Sequence, residues 1–470
     1  SMAFALKHAE KYAHKRIIYV IPYTSIIEQN AEIFRKYLGE DAVLEHHSNF
    51  EPAEEDCKSR LASENWDAPV IVTTTVQFYE SFFANRSSRN RKLHNIANSI
   101  IILDEVQNIP PDYLYPCIEL LRELPVNYKC SIVLCTATQP AIKYREDFKK
   151  GLRNVREIID EPQLLADKLK RVSICQIPET LNEDIARKIA GHERVLCIVN
   201  TKKHAKDLYQ LIRQEPENFH LSTNMCPAHR KEKLQKIRQK LENGDECRII
   251  STQLIEAGVD IDFPVVYRAI AGIDSIAQAA GRCNREGKLQ KGQVYIFDPS
   301  QVKLRGHLLQ TAQEAKAVIA GSECDILTLE NIDEYFKNLF WIKGEYALDK
   351  QNIIEEIKAS LRKLNFPFKS ISEKFKLIDN DTQPVVIPYN DEAGELIESI
   401  EYVPFPQSLI RKLQKYTVNL YSYQWQRLNE AGGLEIKANM FPVLIREDLY
   451  NNDYGLDLDN LDFDPEDLIA

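Results

Sequence analysis

The chain has 470 residues, 44% of them hydrophobic and 28% charged, which is enough for ordinary buried cores and about three domains of average size, and too apolar for a disordered chain. Lys and Arg number 60 against 70 Asp and Glu, a net charge of −10, but nine of the acids fall within 447–470, where there is no Lys or Arg. The remainder is therefore close to neutral, and a negative total leaves nucleic acid open as a partner, because a local basic groove is what meets phosphate.

In chain order, a helical apolar face comes first, at Ala3, Phe4, Leu6, Ala9, Tyr12 and Ala13. Buried strands are expected at 17–21, 70–73, 100–103 and 131–135, separated by amphipathic stretches. After a charged stretch at 141–171 the rhythm resumes with strands at 195–199, 248–251, 265–268 and 293–297. Apolar strands without polar alternation, spaced by helices, predict parallel sheets covered on both faces. Two such series predict an α/β fold with two tandem domains, 1–160 and 161–300. Residues 301–365 read as a helical linker, with apolar helical faces at 309–319 and 353–364. Residues 366–470 read as a small C-terminal accessory domain of short, Pro-bounded elements ending in the acidic tail. There Tyr450, Tyr454, Leu456, Leu458, Leu461 and Phe463 are spaced among carboxylates, which fits either a solvated segment or a docking or gating element.

The ten cysteines, at 57, 117, 130, 135, 175, 197, 226, 247, 283 and 324, form no C-x-x-C pair. That removes the main support for zinc-ribbon or thioredoxin chemistry, and Cys135 and Cys197, inside apolar runs, are expected as buried thiols. No apolar run reaches about 18 residues and no charged-then-apolar segment opens the sequence, so a soluble, cytoplasmic protein without membrane contact is expected. His46-His47 follows a short apolar run with no Cys or carboxylate cluster at ligand spacing in the sequence, and reads as structural rather than metal-binding.

Three motifs carry chemistry. Asp104-Glu105 follows Ile100–Leu103, and the carboxyl end of a buried parallel strand is where α/β sheets place ligands. In nucleotide hydrolases the first such acid holds Mg²⁺ through its water shell and the second orients the attacking water; alone, the pair would read as an acidic helix N-terminus. Thr136-Ala137-Thr138 follows the next strand and offers two hydroxyls for a relay, or a capped turn. Gln278-Ala279-Ala280-Gly281-Arg282-Cys283-Asn284-Arg285 reads as a helix whose Arg282 and Arg285, three apart, share a face and point across one cleft. Arginines so placed neutralise charge in phosphoryl transfer; the bland alternative is a surface pair.

The order D-E-V-Q, T-A-T, S-T-Q-L-I-E-A-G-V-D, Q-A-A-G-R-C-N-R, each after a strand or opening a helix, resembles the superfamily 2 helicases, which have two RecA-like domains. The wording of D-E-V-Q, T-Q-L-I-E-A-G-V-D and Q-A-A-G-R-C-N-R is similar to the CRISPR-associated helicase-nuclease of type I interference systems, and the C-terminal text including 375–379 is like its subtype I-C branch. The resemblance covers essentially the whole chain. It implies ATP and Mg²⁺ as cofactors, with the metal at Asp104 through water, Glu105 activating water, Gln107 at the nucleotide-responsive interface, and Thr136 and Thr138 coupling hydrolysis to domain movement. Gly258 and Asp260 would border the nucleotide from the second domain, and Gln278, Arg282 and Arg285 would complete the composite site. Strand ends carrying Pro22, Thr24 and Ser25, then Thr74 with Gln77, then Asn200-Thr201, then Thr252, would contact the backbone of single-stranded DNA. Any one of these alone would read as an ordinary helix cap or strand end.

Two departures stand out. None of the 16 glycines opens a G-K-[S/T] phosphate-binding loop, a loop that in the family precedes a helix like Ala3–Ala13, so the chain reads as cut before its first strand and loop. No His-Asp dipeptide is present, so the family's HD nuclease would be supplied upstream or by a separate chain. The leading expectation is the motor portion of a type I CRISPR interference helicase, translocating 3′ to 5′ on DNA exposed by a guide-RNA surveillance complex and ATPase-defective as this isolated chain. The alternatives are a nucleotide-incompetent fragment that binds DNA or docks on that complex, and a restriction- or repair-type translocase.

Overall fold

The computed structural model describes residues 1–47, 65–214, 217–322, 325–361, 363–378, 381–402, 407–459 and 461. Cys57, Cys324, Asp379, Phe463 and the acids beyond Leu461 lie outside the described residues, as do the side chains of Thr24 and Ser25. The chain falls into two compact units: residues 1–170 with 313–379, and residues 171–312 with 380–470. The run expected as a linker is thus divided between them.

The first unit is built on β1 (Arg16–Ile21), β2 (Val43–His46), β3 (Val70–Thr74), β4 (Ser99–Asp104) and β5 (Ser131–Cys135). All pair in parallel, in the order β2-β3-β1-β4-β5. The β-branched runs of β1, β3 and β4 are buried on both faces, because helices cover the sheet on each side. The Met2–Tyr12 helix lays Ala5 into the core shared by Ile17 and Ile100. One expectation is corrected here. β5 is only half-buried, since it lies at the sheet edge, and Cys135 is half-buried with it. Cys197 is buried, Cys175 is exposed, and the described cysteines are free thiols.

The second unit has β6 (Val172–Thr180), β7 (Arg194–Val199), β8 (Asn218–Leu221), β9 (Cys247–Thr252), β10 (Val265–Ala269) and β11 (Gly292–Pro299). They form a parallel sheet in the order β6-β11-β10-β7-β9-β8. A four-stranded sheet follows, from β12 (Thr382–Val386), β13 (Thr417–Tyr421), β14 (Leu434–Lys437) and β15 (Phe441–Leu444), in the order β13-β12-β15-β14. The hairpin β16 (Tyr450–Asn451) and β17 (Gly455–Leu456) closes the described chain.

That hairpin lies in the acidic segment, whose described apolar residues are buried or half-buried while Glu447, Asp448, Asp453 and Asp459 stay exposed. Tyr454 inserts into the core of the parallel sheet beside Tyr209 and Val199, while Leu449, Leu456 and Leu461 pack with Cys226 and Val385. The Leu456 N–H donates to the Asn224 carbonyl at 2.8 Å. Gly455 has φ +75°, and a Cβ there would lie 2.4 Å from the Asn224 oxygen, so only glycine lets the strand approach so closely. Two of the acids share one cation as well: Asp457 and Asp459 each sit 2.7 Å from Lys206 Nζ. Apolar anchors spaced among carboxylates let one side of the segment bury while the other finds a cation. No helix among the described residues is long and apolar enough to cross a membrane.

Candidate functional site

In the first unit, strand register assembles the candidate residues. β4 and β5 pair with Asp104 opposite Cys135, so the residues that follow each strand, Glu105 and Thr136, emerge side by side at the carboxyl edge. Glu105 turns the chain sharply in the left-handed region, φ 51°. Gln107 Nε2 donates to Glu105 Oε2 at 2.5 Å, and Thr136 donates its hydroxyl to Gln107 Oε1. Thr136 Oγ1 in turn accepts the Thr138 backbone N–H at 3.1 Å. D-E-V-Q and T-A-T are therefore one hydrogen-bonded relay, in which Thr138 is fully buried. Asp104 accepts from the Tyr19 hydroxyl at 3.2 Å. Its pKa is raised, first by burial and then by the neighbouring Glu105 charge. Asp104, half-buried with its charged form disfavoured and with a second carboxylate next to it, is a donor a divalent cation would relieve, so the residues present fit Mg²⁺.

Thr74, a hydroxyl at the end of β3, behaves as a helix cap. Thr74 Oγ1 accepts the Gln77 N–H at 3.0 Å and caps the Thr75–Phe82 helix. A hydroxyl that accepts can still donate, so capping and phosphate contact are compatible. Pro22 follows β1, and Thr24 and Ser25 open the Thr24–Leu38 helix.

His46 and His47 also have company that the linear sequence hides. Glu28, Glu45 and His47 bring ligand atoms within 4.8 Å of one another. Glu45 is buried and already engaged by Arg35 at 3.1 Å and His47 at 2.8 Å, both of which hold its carboxyl below the usual range despite burial. The arrangement is that of a satisfied buried carboxylate.

The second unit corrects one expectation. The Ile273–Ala280 helix ends before Arg282, because residues 282–284 are drawn alongside Phe263: the Phe263 N–H donates to Arg282 O at 3.0 Å and the Asn284 N–H to Phe263 O at 2.9 Å. Arg282 and Arg285 therefore do not share a helical face. Arg282 is buried, 8% exposed, and donates to the backbone oxygen of Glu256 at 2.5 Å. Arg285 lies out in solvent, 2.9 Å from Asp260. Gln278 remains on the helix, half-buried. Gly258 has φ +76°, a conformation that favours glycine.

Asn200 is held from inside the unit. Its Oδ1 accepts from Arg268 Nη1 at 2.8 Å and its Nδ2 donates to Ile270 O at 2.7 Å. This buried amide is bonded within the protein at both ends. Thr201 next to it caps the Lys202–Gln210 helix, accepting the His204 N–H at 3.1 Å. Thr252 ends β9, buried. Arg268, Glu256 and Ser275, to which Asn200 is tied, escaped the sequence reading. The signal was there: Arg268 is a lone charge in the apolar run 265–269.

Residues 1–146 match the family described as DEAD/DEAH box helicase, and residues 191–288 match that described as CRISPR-associated nuclease/helicase Cas3, C-terminal. Among curated relatives, the CRISPR-associated nuclease/helicase Cas3 of Haloferax volcanii is 25% identical over 61% of this chain and 43% of its own length. That of Methanothermobacter thermautotrophicus is 26% identical over 61% of this chain and 36% of its own. The chain thus spans less than half the length of these relatives. In fold it is similar to T. fusca Cas3, with TM-score 0.64, 15% identity, and coverage of 94% of this chain and 63% of that one. It is also similar to a chain of a CRISPR RNA-guided surveillance complex, pre-nicking, with TM-score 0.58, 14% identity, and coverage of 97% and 66%. With two RecA-like sheets, the DEAD/DEAH box helicase model matched on the first and the Cas3 C-terminal model on the second, the chain resembles the Cas3 helicases in both sequence and fold.

Proposed function

We propose that the chain is the motor portion of a type I CRISPR interference helicase, moving along single-stranded DNA 3′ to 5′ at the expense of ATP. The observation that carries this reading is the relay Glu105–Gln107–Thr136–Thr138, which joins the carboxylate pair to the adjacent strand end. Bound Mg²⁺–ATP supplies a phosphoanhydride whose hydrolysis is the energy source. Asp104 would take the cation through its water shell and Glu105 would orient the attacking water. A change at Glu105 would reach Thr136 and Thr138 through Gln107. From the second unit, Gly258, Asp260, Gln278, Arg282 and Arg285 are assigned to the nucleotide. Thr24, Ser25, Thr74 and Gln77, with Thr201 and Thr252, are assigned to DNA phosphates through hydroxyls and helix-start amides. Asn200 is assigned to holding Thr201. A guide-RNA surveillance complex would present the DNA, and an HD nuclease, upstream or on another chain, would cut it. The working compartment is the cytoplasm.

A second reading, a DNA-binding or docking piece without ATPase activity, draws on the lack of a G-K-[S/T] loop in residues 1–470, since in-line hydrolysis needs the phosphates held. A phosphate-release assay separates the two. Residues 1–470 should stay at background with Mg²⁺ and oligo-dT. A chain carrying such a loop ahead of the Met2–Tyr12 helix should show DNA-stimulated turnover, which Glu105→Gln abolishes while ATP binding persists. Normal turnover by that variant would remove Glu105 from its role, and robust turnover by residues 1–470 would overturn the need for the loop.

A further inference from the structure

Arg268 is 0% exposed, on a strand whose neighbours are apolar. A guanidinium is retained at such a site only when its charge is paired and its donors are largely met, and here Nη1 and Nη2 are hydrogen-bonded while Nε faces Glu256 as a charge pair without a hydrogen bond. Nε lies 2.8 Å from Glu256 Oε1. Nη1 donates to Asn200 Oδ1 at 2.8 Å and to Ala269 O at 2.7 Å. Nη2 donates to Ser275 Oγ at 2.9 Å, and Ser275 donates onward to Glu256 Oε2 at 2.6 Å. Three separate chain segments meet on this one planar group: the end of β7 at Asn200, the turn after β9 at Glu256, and the first turn of the Ile273–Ala280 helix at Ser275. The Glu256 backbone oxygen then holds Arg282.

We infer that Arg268 is a positioning residue for nucleic-acid binding, acting through the Asn200 amide to hold Thr201 and the start of the Lys202–Gln210 helix in phosphate-binding geometry. The inference rests on the reading that Thr201 and Thr252 meet DNA phosphates. Asn200 precedes Thr201 directly, and its side chain is fixed at both ends, by Arg268 and by Ile270 O. The cap at Thr201 is thereby oriented from inside the unit rather than by the ligand. The same clamp carries Arg282, so a residue assigned to the nucleotide and one assigned to DNA hang from a single buried ion pair. Lysine cannot replace it. One ammonium at the end of a flexible stem cannot reach Glu256 beside the stem and Asn200 and Ser275 beyond it at once.

The test uses residues 1–470, fluorescein-labelled oligo-dT, and anisotropy titrations from about 50 mM to 200 mM salt, with melting followed by circular dichroism. Two variants are compared with the parent: Arg268→Lys, which keeps the charge opposite Glu256, and Arg268→Met with Glu256→Met, which replaces the pair by apolar groups of similar volume. In whichever variant melts like the parent, affinity should fall about tenfold and the salt slope should drop by about one, the signature of a lost phosphate contact. Parental affinity and slope in either folded variant would overturn the inference, leaving Arg268 a purely structural ion pair. Thr201→Ala tests the underlying reading separately. It should weaken binding by a similar factor, and if it binds as the parent does, the assignment of this strand end to DNA falls, and the inference with it. Thr201→Ala weakened while a folded Arg268 variant binds normally overturns the inference alone.

Discussion

In the first unit the candidate residues bond chiefly to one another at a half-exposed strand edge: Glu105 to Gln107, Gln107 to Thr136, Thr136 to Thr138. In the second, Asn200 and Arg282 are buried and tied to residues outside the motifs or to backbone, through Arg268 and Glu256. The two arrangements suit different tasks. A relay of half-exposed hydroxyls and amides, buried only at Thr138, exchanges partners at smaller cost, because water can replace the bonds lost at its open members. A buried ion pair joined to three chain segments cannot rearrange without leaving an unpaired charge. The first unit is built to respond at its strand ends, and the second to hold its strand ends still. The units differ in a further respect: the second completes its core with the chain's C-terminal hairpin.

The largest test of that contrast is to remove residues 447–470. Losing Leu449, Tyr454, Leu456 and Leu461 from two cores should cost well over about 5 kcal/mol and abolish the calorimetric transition of the second unit while leaving that of the first. Gly455→Ala should reproduce part of this by forcing the strand off Asn224. A truncated chain with both transitions intact would show that the hairpin is dispensable.

Next in size is Arg268→Met alone. It leaves Glu256 buried without its cation, a loss of about 3–5 kcal/mol confined to the second unit. Equal destabilisation by this variant and by the paired Met replacement would mean that the unpaired charge is not the cause.

Acid should widen the difference between the units. Burial lowers His204 to about 4, His220 to about 3 and His229 to about 4, and Lys233 beside His220 and His229 adds to it. Glu232 near His229 opposes the shift, more weakly. In the first unit His46 is lowered to about 3. A histidine depressed in the folded state is neutral there, so its stabilising contribution is present above its ordinary value of 6.5 and is lost as pH falls, because the unfolded chain takes up the proton. Each such group costs about 1.4 kcal/mol per pH unit below that value. From pH 7.5 to 5.5 the second unit should lose more melting temperature than the first, a gap that His229→Phe narrows. Parallel shifts in both transitions would contradict this assignment.

The smallest effect expected is from Thr136→Val, about 1 kcal/mol on the first unit alone, from the lost bonds to Gln107 and Thr138. Thr74→Ala should match it through the lost helix cap. A change of several kcal/mol from Thr136→Val would mean that the relay supports the fold and is not freely exchangeable.

Much of the sheet architecture was readable from the runs 17–21, 70–73, 100–103 and 265–268, since a strand buried on both faces must be apolar throughout. The motif order likewise placed Asp104, Glu105, Thr136 and Gln278 at strand ends or on a helix. What the runs could not report was lateral order. β5 reads like an inner strand, yet it is an edge, because no local signal says which strands will be neighbours. The Arg282–Arg285 pair misled for a related reason. Spacing of three suits a helix, but a long-range pairing with Phe263 took the segment away.

Composition and local periodicity follow from short-range sterics and from which side chains must leave water, so helices, strands and the chemistry of D-E-V-Q could be inferred residue by residue. Three things required the chain to close on itself. The Asp104–Cys135 register joins two motifs into one relay. Arg268 turns from an oddity in a strand into a buried clamp. The apolar residues of 449–456 and Leu461 join the cores of the second unit, with Lys206 pairing Asp457 and Asp459 beside them. Each depends on partners far apart in sequence, whose meeting is set by packing of the whole unit and leaves no trace in either segment alone.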